Sequence, residues 1–253
     1  MKKLNILALI PARMGSSRFP GKPMKKINGK PMIQHVFERV SKNKMLLDTY
    51  VATCDHEINN FLKKKKFNTI MTSKKHQRAS DRCAEALKKI EKYKKIKYDI
   101  IVMVQGDEPM VHPGMITEAL KPFYKIRDLS VVNLLGKFES KKEYLDKNCI
   151  KVICDSNYNA KYFTRKLPLK FYDNRNKLLG KQVCIIPFKR KMLFNYLNLK
   201  PTFFEINESV DMWRLLENNE TVKMIKTKFT SYAVDTPRDL KKVSKIMKNK
   251  KFR

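Results

Sequence analysis

Leu4-Asn5-Ile6-Leu7-Ala8-Leu9-Ile10, followed at once by Pro11-Ala12-Arg13-Met14-Gly15-Ser16-Ser17-Arg18-Phe19-Pro20-Gly21-Lys22, sets the fold class of this chain. Seven residues with one polar member fall far short of the ~20 needed to span a bilayer. They are also too continuously apolar for a strand with one wet face. Such a run predicts a central parallel strand covered on both sides. It ends in a polar, glycine-bearing loop over 14–22. Asn28-Gly29 then marks a tight turn, and Pro31 stands where a first helical residue belongs, ahead of Ile33, Phe37 and Val40 at helical spacing. Strand, loop and helix in that order open an α/β protein.

The same reading extends along the chain. Strands are expected at 49–53 and 70–72, and a helix opens near Ser80 with Cys83, Leu87 and Ile90 as its apolar stripe. Residues 98–104 form the next buried strand. It stops at Gln105-Gly106-Asp107-Glu108-Pro109, placing a carboxylate at a strand's carboxyl end, where open α/β sheets bind ligands. Beyond 128 the expected strands are 129–135, 151–154, 160–164 and 183–188, with helices at 190–197 and 210–216. A strand ending at Val234 leads into Asp235-Thr236-Pro237, which opens a last helix striped by Leu240, Val243 and Met247. The expected fold is a mostly parallel twisted sheet flanked by helices, with a strand-rich second half. No linker, repeat or composition break divides the chain, so 1–253 reads as one domain with halves 1–128 and 129–253.

Composition narrows the function classes. With 253 residues and 42% hydrophobic content the chain can bury a sizeable core, which excludes a stapled mini-protein and wholesale disorder. Its 56 basic against 24 acidic residues leave a net charge of +32, a field that draws polyanions. Lysine supplies most of that excess, in runs such as 63–66, whereas base-edge and phosphate-fork recognition favours arginine. The excess therefore reads as a solvated surface, and nucleic acid is not the expected partner. Five cysteines without CxxC spacing read as small apolar residues of a reducing compartment. The apolar start lacks a cleavage site and no run spans a membrane, so a soluble, cytoplasmic protein is expected.

Four segments end apolar strands in charged or glycine-bearing loops. In 13–22 two glycines let backbone N–H groups approach an anion, Ser16 and Ser17 add donors, and Arg13, Arg18 and Lys22 add cations. The spacing is not that of a Walker A loop. A plain lysine-rich surface loop is the alternative. Asp107 after a buried strand is costly unless a cation meets it, and a divalent ion on phosphates would do so; capping the next element is its other reading. Asp235 reads as a helix cap by itself, but together with Asp107 it makes the minimum pair for magnesium on a triphosphate. In His76-Gln77-Arg78-Ala79-Ser80-Asp81-Arg82, Ser80 is a helix cap or part of a cover over a nucleobase. No nucleophile and no histidine base is assigned.

These segments, with Ile10-Pro11-Ala12-Arg13, Pro20-Gly21-Lys22-Pro23, Asn28-Gly29-Lys30-Pro31, Val104-Gln105-Gly106-Asp107-Glu108-Pro109 and Val234-Asp235-Thr236-Pro237, closely resemble the 3-deoxy-manno-octulosonate (Kdo) cytidylyltransferases over essentially the whole chain. Asn148, Lys151 and Tyr162-Phe163-Thr164-Arg165 resemble that family's middle region. The resemblance implies that a 2-keto-3-deoxy sugar acid attacks the α-phosphorus of CTP, giving a CMP-sugar and pyrophosphate. It implies catalytic Arg13, Lys22 and Asp107, nucleotide contacts from Ala12, Arg13, Ser16, Lys22, Ser80, Arg82 and Gln105, and a magnesium ion on Asp107 and Asp235. Acceptor contacts fall to Arg165, Gln182, Glu208 and Asp211. The second half would bind the sugar and form a homodimer, with Trp213 and its apolar neighbours as a candidate interface.

The departures lie mostly on the acceptor side. Arg78 and Ala79 stand where the family reads Ser-Gly, and Gln182-Val183-Cys184-Ile185-Ile186 stands for His-x-Gly-x-Tyr. They point to the same type of reaction on a modified sugar acid, an amino-substituted octulosonate or a nonulosonate. Two other classes remain open. A GT-A type glycosyltransferase would show an Asp-x-Asp pair and release no pyrophosphate. A non-catalytic nucleic-acid binder on the same fold would show steep salt dependence and no turnover of CTP.

Overall fold

The computed structural model describes residues 4–16, 18–173 and 176–249. Ser17, one of the two serines expected to donate in the first loop, lies outside them. The chain runs β1 (Ile6–Ala12), a short hairpin of β2 (Lys26–Ile27) and β3 (Lys30–Pro31), α1 (Met32–Val40), β4 (Asp48–Thr53), α2 (His56–Lys64), β5 (Thr69–Met71), α3 (Ala79–Lys94), β6 (Ile100–Val104) and α4 (Pro113–Leu120). It continues with β7 (Val132–Gly136), α5 (Lys141–Leu145), β8 (Lys151–Cys154), β9 (Ala160–Thr164), β10 (Leu179–Val183), β11 (Ile185–Lys189), α6 (Arg190–Asn198), α7 (Phe203–Glu208), α8 (Met212–Leu216), β12 (Lys223–Lys226) and α9 (Pro237–Lys248).

Two five-stranded sheets result. The first has the order β11-β6-β1-β4-β5, parallel except for β11 at its edge. As its composition requires, β1 is central and wet on neither face. Ile6, Ala8 and Ile10 pack with α1, α2 and α4, while Leu7 and Leu9 pack with α3, α6 and α8. Each such fully buried Ile or Leu contributes about 1.5–3 kcal/mol. The second sheet, β12-β7-β10-β8-β9, is antiparallel apart from the parallel pair β12 and β7. A bridge between Val131 and Phe188 joins the two sheets.

Three expectations are corrected. The apolar run 183–188 is not one strand: β10 ends at Val183 in the second sheet and β11 starts at Ile185 in the first, with Cys184 between. The run is apolar on both sides of the break because both strands are buried, so hydropathy carries no mark of it. The strand before α9 is β12, and Val234 lies in extended chain tied by its N–H to Asp107 O at 2.9 Å. Ser80 does not cap α3, whose N-cap is Arg78. Four helices, α2, α4, α5 and α7, had no counterpart in the sequence reading; the 63–66 lysine run begins in the last turn of α2.

Two backbone positions explain how the ligand-side loops come together. Gly21 has φ 69°, and its N–H returns to Met14 O at 3.0 Å, folding the first loop on itself. A Cβ at Gly106 would lie 2.9 Å from Pro11 O, so only glycine allows the carboxyl ends of β1 and β6 to sit so close.

Candidate active site

A cleft of about 1060 Å³ opens at the carboxyl ends of β1 and β6 and reaches the second sheet. The loop after β1 supplies Lys22, the turn after β6 supplies Asp107, and the segment before α9 supplies Asp235. Lys22 Nζ lies 2.8 Å from Asp107 Oδ2 and 3.3 Å from Asp235 Oδ1, and Arg18 Nη2 is 2.9 Å from Asp235 Oδ1. Arg18 also donates to Asn148 Oδ1. The hydrogen bond from Val234 N–H to Asp107 O holds the two acidic segments side by side.

The electrostatics are those of an excess of buried acid. Burial works to lower the Lys22 ammonium, but the charges of Asp107 and Asp235 outweigh it and hold the pKa above the ordinary lysine value. The Asp235 pKa is raised from its ordinary value, first by burial and then by the Asp107 charge, beyond what Lys22 and Arg18 offset. Among the described residues no three metal-ligating side chains cluster. Asp107 and Asp235 form only a pair, suited to a hard cation whose remaining ligands are triphosphate oxygens and water.

Glu108 sits behind this pair, buried, accepting from Ser231 Oγ at 2.7 Å and from Cys184 N–H at 3.4 Å. Burial and the Asp107 charge push its pKa up to about 7. The folded protein therefore binds a proton more tightly than the unfolded chain, and Glu108 weakens the fold as pH rises from about 4.5 through 7. Unfolding by denaturant at pH 5 and pH 8 should show this loss in the parent. The Glu108→Gln variant should show a shallower one, the difference reaching about 3 kcal/mol at most.

Among the described residues four cleft-lining arginines, Arg13, Arg82, Arg165 and Arg238, form no ion pair with a carboxylate. Arg13 is exposed on the rim. Arg82 is 3% exposed and donates to Thr72 Oγ1 at 2.5 Å, while its Nη2 has no partner. A buried donor left open in this way costs about 1–3 kcal/mol until a ligand acceptor meets it. Arg165 donates to main-chain carbonyls of Glu208 (2.7 Å), Lys147 (3.2 Å) and Ser209 (3.4 Å), and is lowered by burial and by Arg18. A guanidinium aimed by carbonyls and paired with no acid is a seat for an incoming carboxylate.

The profile of the cytidylyltransferase family matches residues 7–229. The chain is 36% identical to a protein of Trichlorobacter lovleyi named 3-deoxy-manno-octulosonate cytidylyltransferase, over 97% of this chain and 99% of that one. The chain belongs to this cytidylyltransferase family. A Geotalea daltonii protein of the same name is also 36% identical, over 98% of this chain and all of its own length. A solved structure of CMP:2-keto-3-deoxy-manno-octonic acid synthetase complexed with CTP superposes with a TM-score of 0.84 at 33% identity, over 96% of this chain and 98% of that one. A 4-diphosphocytidyl-2C-methyl-D-erythritol synthase of Anaerococcus prevotii, at 15% identity and a TM-score of 0.64, covering 98% and 97% of the two chains, shares the fold alone.

Within this cytidylyltransferase fold the cleft gathers Ala12, Arg13, Ser16, Lys22, Arg82, Gln105, Asp107, Arg165, Gln182, Asp211 and Asp235. Two expected contacts sit behind the wall instead. Ser80 is fully buried, and its hydroxyl and N–H both donate to Asp211 Oδ2, at 2.8 and 3.2 Å. The pair clasps α3 to the chain entering α8, which occupies the Asp211 oxygen expected for the acceptor. Glu208 accepts from Thr164 Oγ1 (3.1 Å) and Arg165 N–H (2.8 Å), so it supports Arg165 from outside the cleft. Trp213 is 6% exposed and donates to Phe163 O, leaving Phe203, Phe204 and Ile206 as the exposed apolar residues of that patch, with Phe204 stacked on Trp213.

The sequence reading passed over two buried groups that shape the site, Lys181 and Glu205, and named a third, Lys151, without giving it a role. Lys181 donates to Glu143 Oε1 (2.6 Å) and Ser231 O (3.1 Å). Lys151 donates to three carbonyls, among them Arg165 O at 3.0 Å. Glu205 anchors Arg214. For Glu205 the available signal was the Thr202-x-x-Glu205 spacing of a capping box, its carboxylate accepting from Thr202 N–H at 3.3 Å; the two lysines sit in strands whose burial does not alternate around them, so the pattern gave no mark of them.

Proposed function

We propose that this chain transfers CMP from CTP to a 2-keto-3-deoxy sugar acid of the Kdo type and releases pyrophosphate. One observation carries the reading: Lys22, Asp107 and Asp235 converge at one end of a cleft whose acceptor side holds Arg165 unpaired with any acid. The anomeric hydroxyl attacks the α-phosphorus, the bond to the β,γ-pyrophosphate breaks, and the hydroxyl proton passes to solvent. Such in-line transfer depends on positioning and charge stabilisation. Arg13 and Lys22 neutralise the triphosphate, Ala12, Ser16 and Gln105 border the nucleotide, and Arg82 offers its open Nη2 to a base or ribose oxygen. We infer that Asp107 and Asp235 would hold a magnesium ion, which when bound supplies charge neutralisation and a lowered pKa for the attacking hydroxyl. A homodimer and a cytoplasmic setting belong to the same proposal; among the described residues no helix is long and apolar enough to cross a membrane.

The test is mass spectrometry of products from CTP, magnesium and a panel of keto-sugar acids, with pyrophosphate release measured alongside. CMP-sugar and pyrophosphate in equal amounts support the proposal. No pyrophosphate from CTP, but release of the nucleotide from an added nucleotide-sugar donor as its sugar moves to an acceptor, would favour a glycosyltransferase, and no turnover with salt-dependent DNA or RNA binding would favour the non-catalytic reading. The Arg165→Ala variant should raise the acceptor KM about a hundredfold, the loss of about 2–3 kcal/mol from a charge-assisted contact, and leave the CTP KM nearly unchanged.

Gln182 favours an altered acceptor. Its Nε2 donates to Asn133 Oδ1 at 2.7 Å, and buried Asn133 is fixed because its own Nδ2 donates to Val183 O at 2.7 Å and Leu134 O at 3.3 Å. Gln182 thus offers Oε1 and the second Nε2 hydrogen beside the apolar Ile186 and Cys184, at positions where the family pattern carries an imidazole and a phenol. A wall changed in this way suits a sugar acid other than plain Kdo. Equal turnover of plain Kdo and of every amino-substituted or nonulosonate analogue would sink this part of the proposal.

A further inference from the structure

Arg78 crosses the rim of the cleft from the N-cap of α3 to the far end of α7. Its Nη1 donates to Ser209 Oγ at 2.9 Å, its Nη2 to Glu205 O at 2.9 Å, and its Nε lies 3.4 Å from Glu205 Oε1. Ser209, in the left-handed region at φ 52°, ends α7 and leaves that helix's last carbonyls without helical partners. Two guanidinium groups satisfy part of this end. Arg78 takes Glu205 O from the nucleotide side, and Arg165 takes Glu208 O and Ser209 O from the acceptor side. Ser80 clasped to Asp211 is a second tie between the same two segments.

From this juxtaposition we propose that Arg78 is a positioning residue: by locking the 205–209 segment onto the nucleotide loop it aims Arg165, and so couples the CTP side of the cleft to the acceptor side. The inference rests on the cytidylyl-transfer reading for its kinetic arm only. Arg78 touches no reacting atom. Its three bonds hold the end of α7 from one side, while Arg165 depends on the carbonyls and the Glu208 carboxylate of that same end. If the end of α7 shifts, Arg165 loses its aim. A serine at position 78 cannot reach any of the three partners, and lysine keeps the charge without the fork.

The experiment uses the full-length chain and the variants Arg78→Ser, Arg78→Lys and Ser209→Ala. Arg78→Ser should raise the acceptor KM about tenfold with less than a twofold change in the CTP KM. Arg78→Lys should recover part of the loss, and Ser209→Ala, which removes one bond and spares Glu205, should show a smaller rise of the same kind. Combined with Arg165→Lys, Arg78→Ser should cost less than the product of the separate losses. A parallel arm needs no acceptor: CTP should slow amide hydrogen exchange over 205–211 in the parent chain and fail to do so in Arg78→Ser. Equal rises in both KM values, multiplicative losses, or unchanged exchange protection in Arg78→Ser would each overturn the coupling. If the parent releases no pyrophosphate with any sugar acid, the functional reading fails, and the exchange arm still decides the role of Arg78.

Discussion

The Lys22→Ala enzyme is expected to lose about 10²–10³-fold in kcat, the effect of removing one pre-organised charge from a developing oxyanion. Among the described residues Lys22 is the one side chain that bridges Asp107 and Asp235, at 2.8 and 3.3 Å. Its removal leaves two half-buried carboxylates facing each other, with Arg18 alone on Asp235. The Asp235 pKa, already raised by burial and by Asp107, should rise further. An acid whose folded pKa lies above its unfolded value destabilises the fold as pH rises, so the ligand-free variant should be closer to the parent in stability at pH 5 than at pH 8. Denaturant unfolding at the two values checks this. Manganese, read by its electron paramagnetic resonance, should stabilise Lys22→Ala more than the parent, and Asp107→Asn should abolish that binding. Full activity in Lys22→Ala would remove the basis of the proposed site.

The Glu205→Ala variant should cost about 3–5 kcal/mol of folding stability, the penalty for leaving a buried charge without its partner. Glu205 is fully buried and takes both Nε and Nη2 of Arg214, at 2.7 and 2.6 Å, together with the Tyr196 hydroxyl at 3.1 Å. Arg214, 4% exposed, would keep only Asp81 at 3.4 Å. For a chain of 253 residues a loss of that size lowers Tm by about 10 °C or more. Replacing both partners by apolar residues of similar shape, Glu205→Leu with Arg214→Met, should recover a large part. A loss below about 1 kcal/mol in Glu205→Ala would show that Arg214 finds water, and that the network stabilises less than its geometry suggests.

Much of the active half was legible in the residues alone. The apolar run in β1, the carboxylate closing β6 and the Asn28-Gly29 turn are local signals, each with a local cause, and the structure keeps all three where the pattern placed them. The break at Cys184 was not legible, because β10 and β11 are buried on both sides of it and hydropathy cannot distinguish one sheet from another. Ser80 was misread for a related reason. A serine ahead of a helix looks like a cap, and nothing near it in sequence reveals that Asp211, 131 positions on, claims its hydroxyl.

The sequence by itself determined the fold class, the succession of the four main strands in the first half, and the chemical kind of each charged group at the strand ends, since these follow from short-range periodicity and side-chain type. The tertiary structure alone decided which charges meet. It placed Lys22 between Asp107 and Asp235, left Arg165 without an acid, turned Glu208 and Ser80 away from the cleft, and bound Arg78 to the end of α7. The reason is that Coulombic and hydrogen-bond partners act over a few ångströms of space, and the chain brings them there only by crossing from one sheet to the other.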